Sequence, residues 1–152
     1  MELDNIDKEL VQLLQADCKR TTKHYADLLG LSKTAVYERI RRLERQGVIT
    51  NYVALVDKEK VRRSFTALCH IRLLQHTKEN VLRFEREILK LDEVSVCFHV
   101  SGDYDYILRV NVENMIKYRE FMVTKLTVIS NIGNTQSSFV INEVKHTTAV
   151  FI

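Results

Sequence analysis

The 152-residue chain has no proline and no tryptophan, and only four glycines and three cysteines. With no proline, and with no Gly/Ser-rich or other low-complexity tract, neither a stiff extended spacer nor a flexible linker is built in. Cys18, Cys69 and Cys97 stand far apart with no C-x-x-C pair, which excludes a disulfide framework or zinc finger and leaves them as reduced thiols. No apolar run approaches the ~18 residues of a membrane span, and the opening MELDNIDKEL is acidic where a signal peptide is basic. These absences lead us to expect a cytoplasmic protein with no membrane partner. His24, His70, His76, His99 and His146 lack the spacing that converges on a metal, so no metal site is expected.

What is present is enough apolar residue, 45%, for a real core, and an uneven charge. Residues 1–63 hold thirteen Lys and Arg against ten Asp and Glu, whereas residues 64–152 hold ten of each. The whole excess of +3 lies in the first part, as in a nucleic-acid-binding segment joined to a neutral one.

The first helix is expected from an N-cap at Asp4 or Asn5, with Ile6, Leu10, Leu13 and Leu14 on one stripe and Asp7 and Glu9 in its first turn. A short second helix runs from about Thr22 to Leu29, where Gly30 supplies a left-handed end. Ser32 then caps a third helix that reaches Gln46 and stops at Gly47. The third helix has a narrow apolar seam of Val36, Ile40 and Leu43, and at ~100° per residue Thr34, Tyr37, Glu38, Arg41 and Arg45 fall opposite it. Two helices across a glycine turn, the second with a cationic face, is the sequence form of a helix-turn-helix.

Beyond Gly47, VITNYVALV reads as a strand and DKEKVRRS as a connector. The expected division is a helix-turn-helix domain at 1–50, a linker strand and connector at 51–64, and a second domain at 65–152. In that second domain FTALCHIRLL (65–74) is a strand, TKENVLRFEREILKL (77–91) a helix, and VSVCFHV (94–100) a strand. Gly102 and Asp103 turn tightly into YDYILRVNV (104–112), whose Tyr104, Tyr106, Leu108, Val110 and Val112 share a face. A helix from about Asn114 to Ile129 and a last strand through SSFVINEV follow, the latter with a phase slip between Ile141 and Val144 that reads as a bulge. The fold class is therefore α+β: a winged-type helix-turn-helix plus a ferredoxin-like β-α-β-β-α-β sandwich. One sheet face is left uncovered and still carries Leu68, Leu74, Cys97 and Ile107, so a second copy of the chain is expected against it.

The outward surface of the third helix suits DNA chemistry. Lys33, Thr34, Tyr37, Glu38 and Arg41, with Ser32 at the cap, lie where a recognition helix meets base edges; Arg39, Arg42 and Arg45 lie on the flanks and far end, suited to phosphates. The competing reading is a solvated charged face. One such helix per monomer implies a near-palindromic site for a dimer. At the hairpin, the residues by themselves allow a plain turn at Gly102 and Asp103, or Asp103 and Asp105 as two metal ligands without a visible third. There is no nucleophile with a partner base, no phosphate loop and no dinucleotide fingerprint, so no catalytic residues and no enzyme are expected.

The blocks LDNIDKELVQLLQADCKR, LLGLSKTAVYERIRRLERQGVITNYVALVD, HVSGDYDYILRV and TQSSFVINEVKHTT, in this order, make the chain resemble the Lrp/AsnC family of feast/famine transcriptional regulators over essentially its whole length. The resemblance implies a sequence-specific regulator of double-stranded DNA, a ferredoxin-like module that dimerises and assembles to octamers, and a small effector, usually an amino acid, with no other cofactor. It also implies that the hairpin Gly102, Asp103, Tyr104 and Asp105 and the strand start Thr135, Gln136 and Ser137 bind that effector. A zwitterion needs a carboxylate for its ammonium, here Asp103 and Asp105, and N–H or hydroxyl donors for its carboxylate. The alternative is an effector-independent architectural DNA-binding protein of the same family. The sequence departs from the family at Tyr25, where leucine is usual, and in lacking the family's proline before the last strand.

Overall fold

The computed structural model describes residues 2–152 as two compact units, one reaching to Leu55 and taking in Val144–Ile152, the other Val56–Glu143. The tail 144–152 groups by its contacts with the first unit.

In the first unit, α1 (Asn5–Ala16), α2 (Thr22–Leu29) and α3 (Lys33–Arg45) start on oxygen caps, where Asp4, Thr21 and Ser32 accept the orphan N–H groups of Asp7, His24 and Ala35. Gly30, at φ +63°, ends α2 in the left-handed region that a side chain would strain. The three helices close on Leu10, Leu14, Tyr25, Ala26, Val36 and Leu43. Tyr25, the departure from the family, is buried with its hydroxyl donating to the Asp17 carbonyl at 2.5 Å, so it satisfies the end of α1 while filling the core. The tail reaches the same helix: the Gln15 amide donates to the Val150 carbonyl at 2.8 Å and accepts the Val150 N–H at 2.7 Å, and Gln12 donates to the Ile152 carbonyl at 2.6 Å.

The expected strand over VITNYVALV is not a strand. Residues 50–57 make no ladder, and Val53, Leu55 and Val56 stand about two-thirds exposed. The segment has the composition of a strand, but pairing needs a neighbouring strand and the single chain supplies none.

The second unit is β1 (Phe65–Leu73), α4 (Lys78–Ile88), β2 (Val94–His99), β3 (Tyr106–Val112), α5 (Met115–Phe121) and β4 (Ile132–Phe139). Its antiparallel sheet has the order β2-β3-β1-β4, which is the ferredoxin-like arrangement. Ala67, Cys69, Ile71 and Leu73 of β1 and Tyr106, Leu108, Val110 and Val112 of β3 turn to the helices and pack on Phe84, Ile88, Tyr118, Phe121 and Leu126. Because paired residues share a face, Cys97, opposite Leu108, belongs to that helix side and not to the open face where the sequence put it. Leu68, Leu74 and Ile107 remain on the open side, joined by Phe98 opposite Ile107, which is 60% exposed.

Three boundaries differ from expectation. The helix after Asn114 does not run through as one α-helix: Met122–Leu126 widens to a π turn, with Thr127 N–H on the Met122 carbonyl at 2.9 Å and Thr124 and Thr127 hydroxyls bonded back to Glu120 and Met122 carbonyls. The last strand starts earlier, at Ile132, and ends at Phe139. Gly133 permits this start, because a Cβ there would stand 2.9 Å from Leu74 Cδ2. The irregularity in this strand pairing falls between Arg72 and Leu73 and not between Ile141 and Val144.

Leu108→Ala, at the fully buried centre of the second core, should cost about 2–5 kcal/mol. Hydrogen exchange should show the loss across β1, β3 and α5 while amide protection in α1 and α3 stays as it was.

Candidate functional site

The outward face of α3 is built by its seam. With Val36 and Leu43 buried, Ser32, Lys33, Thr34, Tyr37, Glu38, Arg41 and Arg45 are all exposed. Lys33 and Arg45 make no ion pair among the described residues. Arg41 is lightly held, 3.4 Å from Glu44 and 5.9 Å from the centroid of the Tyr37 ring, both contacts being open to water. The carbonyl-proximal end of the helix is steadied by Tyr52, whose hydroxyl donates to Glu44 at 3.1 Å. Burial first, and then the Glu44 carboxylate, push the Tyr52 phenol up to about 12.

Arg39 and Arg42 are placed differently from the other cations. Asp7, with a side chain only 5% exposed, accepts from Arg39 Nη1 at 2.7 Å and, through both oxygens, from Arg42 Nη2 at 2.6 Å. Arg39 also reaches Asp4 Oδ2 at 2.7 Å, and that guanidinium, then the Asp7 N–H, holds the Asp4 carboxyl below its ordinary value. The N-cap acid and the first-turn acid of α1 thus grip two arginines one helical turn apart on α3. The sequence reading noted Asp7 only as a dipole-favoured acid; the signal for its larger part is the i, i+3 spacing of Arg39 and Arg42 beside the apolar seam, which turns both toward the neighbouring helix.

At the far end of the sheet the hairpin is wider than a two-residue turn. Val100 N–H closes on the Asp105 carbonyl at 2.8 Å, leaving residues 101–104 as the loop, with Gly102 at φ +124°. Tyr104 leaves the face of Tyr106: its ring lies 5.3 Å from His70 and 5.6 Å from the Arg72 guanidinium, and its hydroxyl donates to Gln136. Arg72 donates from Nε to the Asp103 carbonyl at 2.7 Å. The strand start divides by alternation: Gln136 joins Tyr104 on the open face, whereas Thr135 and Ser137, opposite Ile71 and Cys69, face the helices, and Ser137 meets the Tyr118 hydroxyl at 2.5 Å.

The two acids of the hairpin also part. Asp105 fastens the hairpin to β1, accepting the Leu73 N–H at 2.7 Å and pairing with His76 Nε2 at 2.8 Å. Burial opposes its charge, but the Leu73 N–H and His76 outweigh burial and hold the carboxyl below its ordinary value. The Asp103 carboxylate stands exposed without a hydrogen bond or ion pair among the described residues. The sequence reading missed Arg72 and His70, whose Nδ1 is buried without a partner; β alternation from Gln136 across to His70 and on to Arg72 was the available signal. Among the described residues no group of three or more His, Cys, Asp or Glu converges as for a metal.

A helix-turn-helix with an outward cationic helix, carried on one chain with an α+β unit whose hairpin clusters polar and charged groups, defines a DNA-binding regulator with a ligand domain. Residues 3–44 match the AsnC-type helix-turn-helix domain and residues 66–150 the Lrp/AsnC ligand binding domain. The chain is 34% identical over 148 residues to the DNA-binding transcriptional activator DecR of Escherichia coli, covering 97% of each. It is 33% identical over 151 residues to the leucine-responsive regulatory protein of the same species, covering 99% of this chain and 92% of that one. The solved L-Met complex of a Neisseria meningitidis transcriptional regulator superposes with a TM-score of 0.93 at 29% identity, covering 98% of this chain and 96% of that one. The chain belongs to the Lrp/AsnC family of DNA-binding transcriptional regulators.

Asp7→Ala strands two guanidinia and should destabilise by about 2 kcal/mol, short of the ~3–5 of a fully buried pair because the arginines keep some water; a urea titration of the variant measures it. For Asp105 the folded pKa lies below the unfolded value of about 3.9, so its stabilisation of the hairpin is complete above that value and is lost as the pH falls through the folded one. An NMR titration should accordingly show the Leu73 amide moving with carboxyl protonation as the pH falls below ~4.

Proposed function

We propose that the chain is a sequence-specific regulator whose reading head is α3 and whose DNA binding responds to a free amino acid held at the hairpin. The observation that carries the reading is the division of labour among the cations of α3. Arg39 and Arg42 are engaged with Asp4 and Asp7, and this fixes the helix; Lys33, Arg41 and Arg45 stay exposed and available to a polyanion. Lys33, Thr34, Tyr37, Glu38 and Arg41 read base edges, Ser32 and Arg45 hold backbone, and Arg39 and Arg42 act chiefly by orienting the helix.

The effector reading is supported by the hairpin cluster and by the L-Met complex of the Neisseria relative. Asp103 takes the ammonium; Gln136, Tyr104, Arg72 and the amide near Gly102 take the carboxylate. Thr135 and Ser137 support the strand from its other face, and Asp105 positions the loop. The apolar open face, with Leu68, Leu74, Phe98 and Ile107, favours a homodimer, and dimers gathered into an octamer would bring several reading heads onto one cytoplasmic DNA. The ligand then acts by preferring one assembly state, with no catalysis required.

The test is fluorescence anisotropy on the DNA upstream of the chain's own gene and on a scrambled fragment, with and without each amino acid. Preference for the upstream fragment, shifted by one or a few amino acids, is expected; equal, steeply salt-dependent binding with no ligand effect would favour the architectural alternative. In the same assay Arg41→Ala should lose about 1–3 kcal/mol on the preferred fragment and little on the scrambled one. Equal losses on both would reassign Arg41 to phosphate.

A further inference from the structure

The second unit contains a cavity that the hairpin does not use. It has a volume of about 300 Å³ and lies at the opposite end of the sheet, where β1 and β2 begin and β3 ends. Val112 and Phe121, both almost fully buried, supply an apolar floor. Thr124 and Lys125, on the π turn, supply one wall; such turns are enriched at binding sites because they displace side chains from the regular helical surface.

The polar lining is mixed, and only part of it is paired. Lys117 is paired with Glu120 at 2.8 Å, and Lys125 with Glu93 Oε1 at 2.6 Å. Three groups are left over. The Arg63 guanidinium makes a single hydrogen bond, to the neighbouring Arg62 carbonyl, and acts on Glu93 only through space. The Glu113 carboxylate makes no hydrogen bond or ion pair among the described residues. Glu93 Oε2 is buried without a partner, an arrangement that costs free energy unless something fills it.

From this set of unpaired groups around an apolar floor, we propose that the cavity is a second small-molecule site, selective for a zwitterion that carries an ammonium and a carboxylate on a short apolar frame: a small aliphatic α-amino acid. The ammonium donates to Glu93 Oε2 and Glu113; the carboxylate accepts from Arg63, a planar donor suited to two-point capture of a carboxylate. The frame rests on Val112 and Phe121. A ligand without the ammonium leaves the buried Glu93 Oε2 unanswered, and one without the carboxylate forgoes the two-point contact with Arg63, which is how such a pocket disfavours simple acids and simple amines. The site does not depend on the hairpin, which lies a full strand length away.

The test is NMR of the full-length protein titrated with L-valine and L-methionine, and with isobutylamine and isovalerate, which keep the frame of valine but carry only one of its charges. Saturable shifts of the Glu93, Glu113, Lys117 and Lys125 amides with at least one amino acid are expected, with binding of isobutylamine and isovalerate weaker by about tenfold or more. Arg63→Gln and Glu113→Gln, both at exposed positions outside the core, should each weaken amino-acid binding by a similar factor and leave the remaining spectrum unchanged. Glu93→Gln keeps the shape but should also lower ammonium affinity. Absence of shifts at these amides with both amino acids, or unchanged affinity in both exposed variants, would overturn the assignment. Shifts confined to Tyr104 and Gln136 would do the same while supporting the hairpin reading, so the two sites succeed or fail separately.

Discussion

Side chains alternate across a β-strand, and a four-stranded sheet covered by helices on one side must therefore present every second residue to whatever lies on the other. Most of the second unit follows from this constraint. One set, from Ala67 to Leu73 on β1 and from Tyr106 to Val112 on β3, forms the core. The other set holds Leu68, His70, Arg72 and Leu74 with Ile107 and Gln136. The same rule separates Gln136 from Thr135 and Ser137, so that a consecutive tripeptide becomes one residue beside Tyr104 on the open face and two that brace the strand from behind.

The first unit is governed by a different necessity, that a carboxylate withdrawn from water be matched by donors. Asp7 is matched by two guanidinia of α3, and the helix that faces outward is held by the same residue type it presents. Arginine suits both tasks because its fork of donors can grip a carboxylate from one side of the helix while other arginines on that helix remain solvated. Position on the helix decides which arginine does which.

The helices, the caps of the first and third, the glycine ends and the order of strands were legible in the sequence because each rests on a local signal: Asp4 and Ser32 as caps, Gly30 as a left-handed end, period two in VSVCFHV and YILRVNV. The misread features depend on partners distant in the chain. VITNYVALV has strand composition but no strand beside it, and β4 begins at Ile132 because Gly133 admits Leu74, the residue that follows β1. The Asp7 grip joins residues more than thirty positions apart. The cation face of α3 could be drawn on a helical wheel; which of its members were already committed could not, since that depends on the residue opposite. The hairpin was found by its motif, but its partners Arg72 and His70 enter only through strand register.

The first unit is not continuous in sequence, for Gln12 and Gln15 of α1 are engaged by backbone at Val150 and Ile152, and the whole second unit is inserted between. α1 therefore has two kinds of neighbour: the apolar core of the three-helix unit on one side, and the backbone of Val150 and Ile152 on its polar side. Two glutamine amides, with no apolar burial of their own, thus tie together stretches of chain that lie more than 130 positions apart.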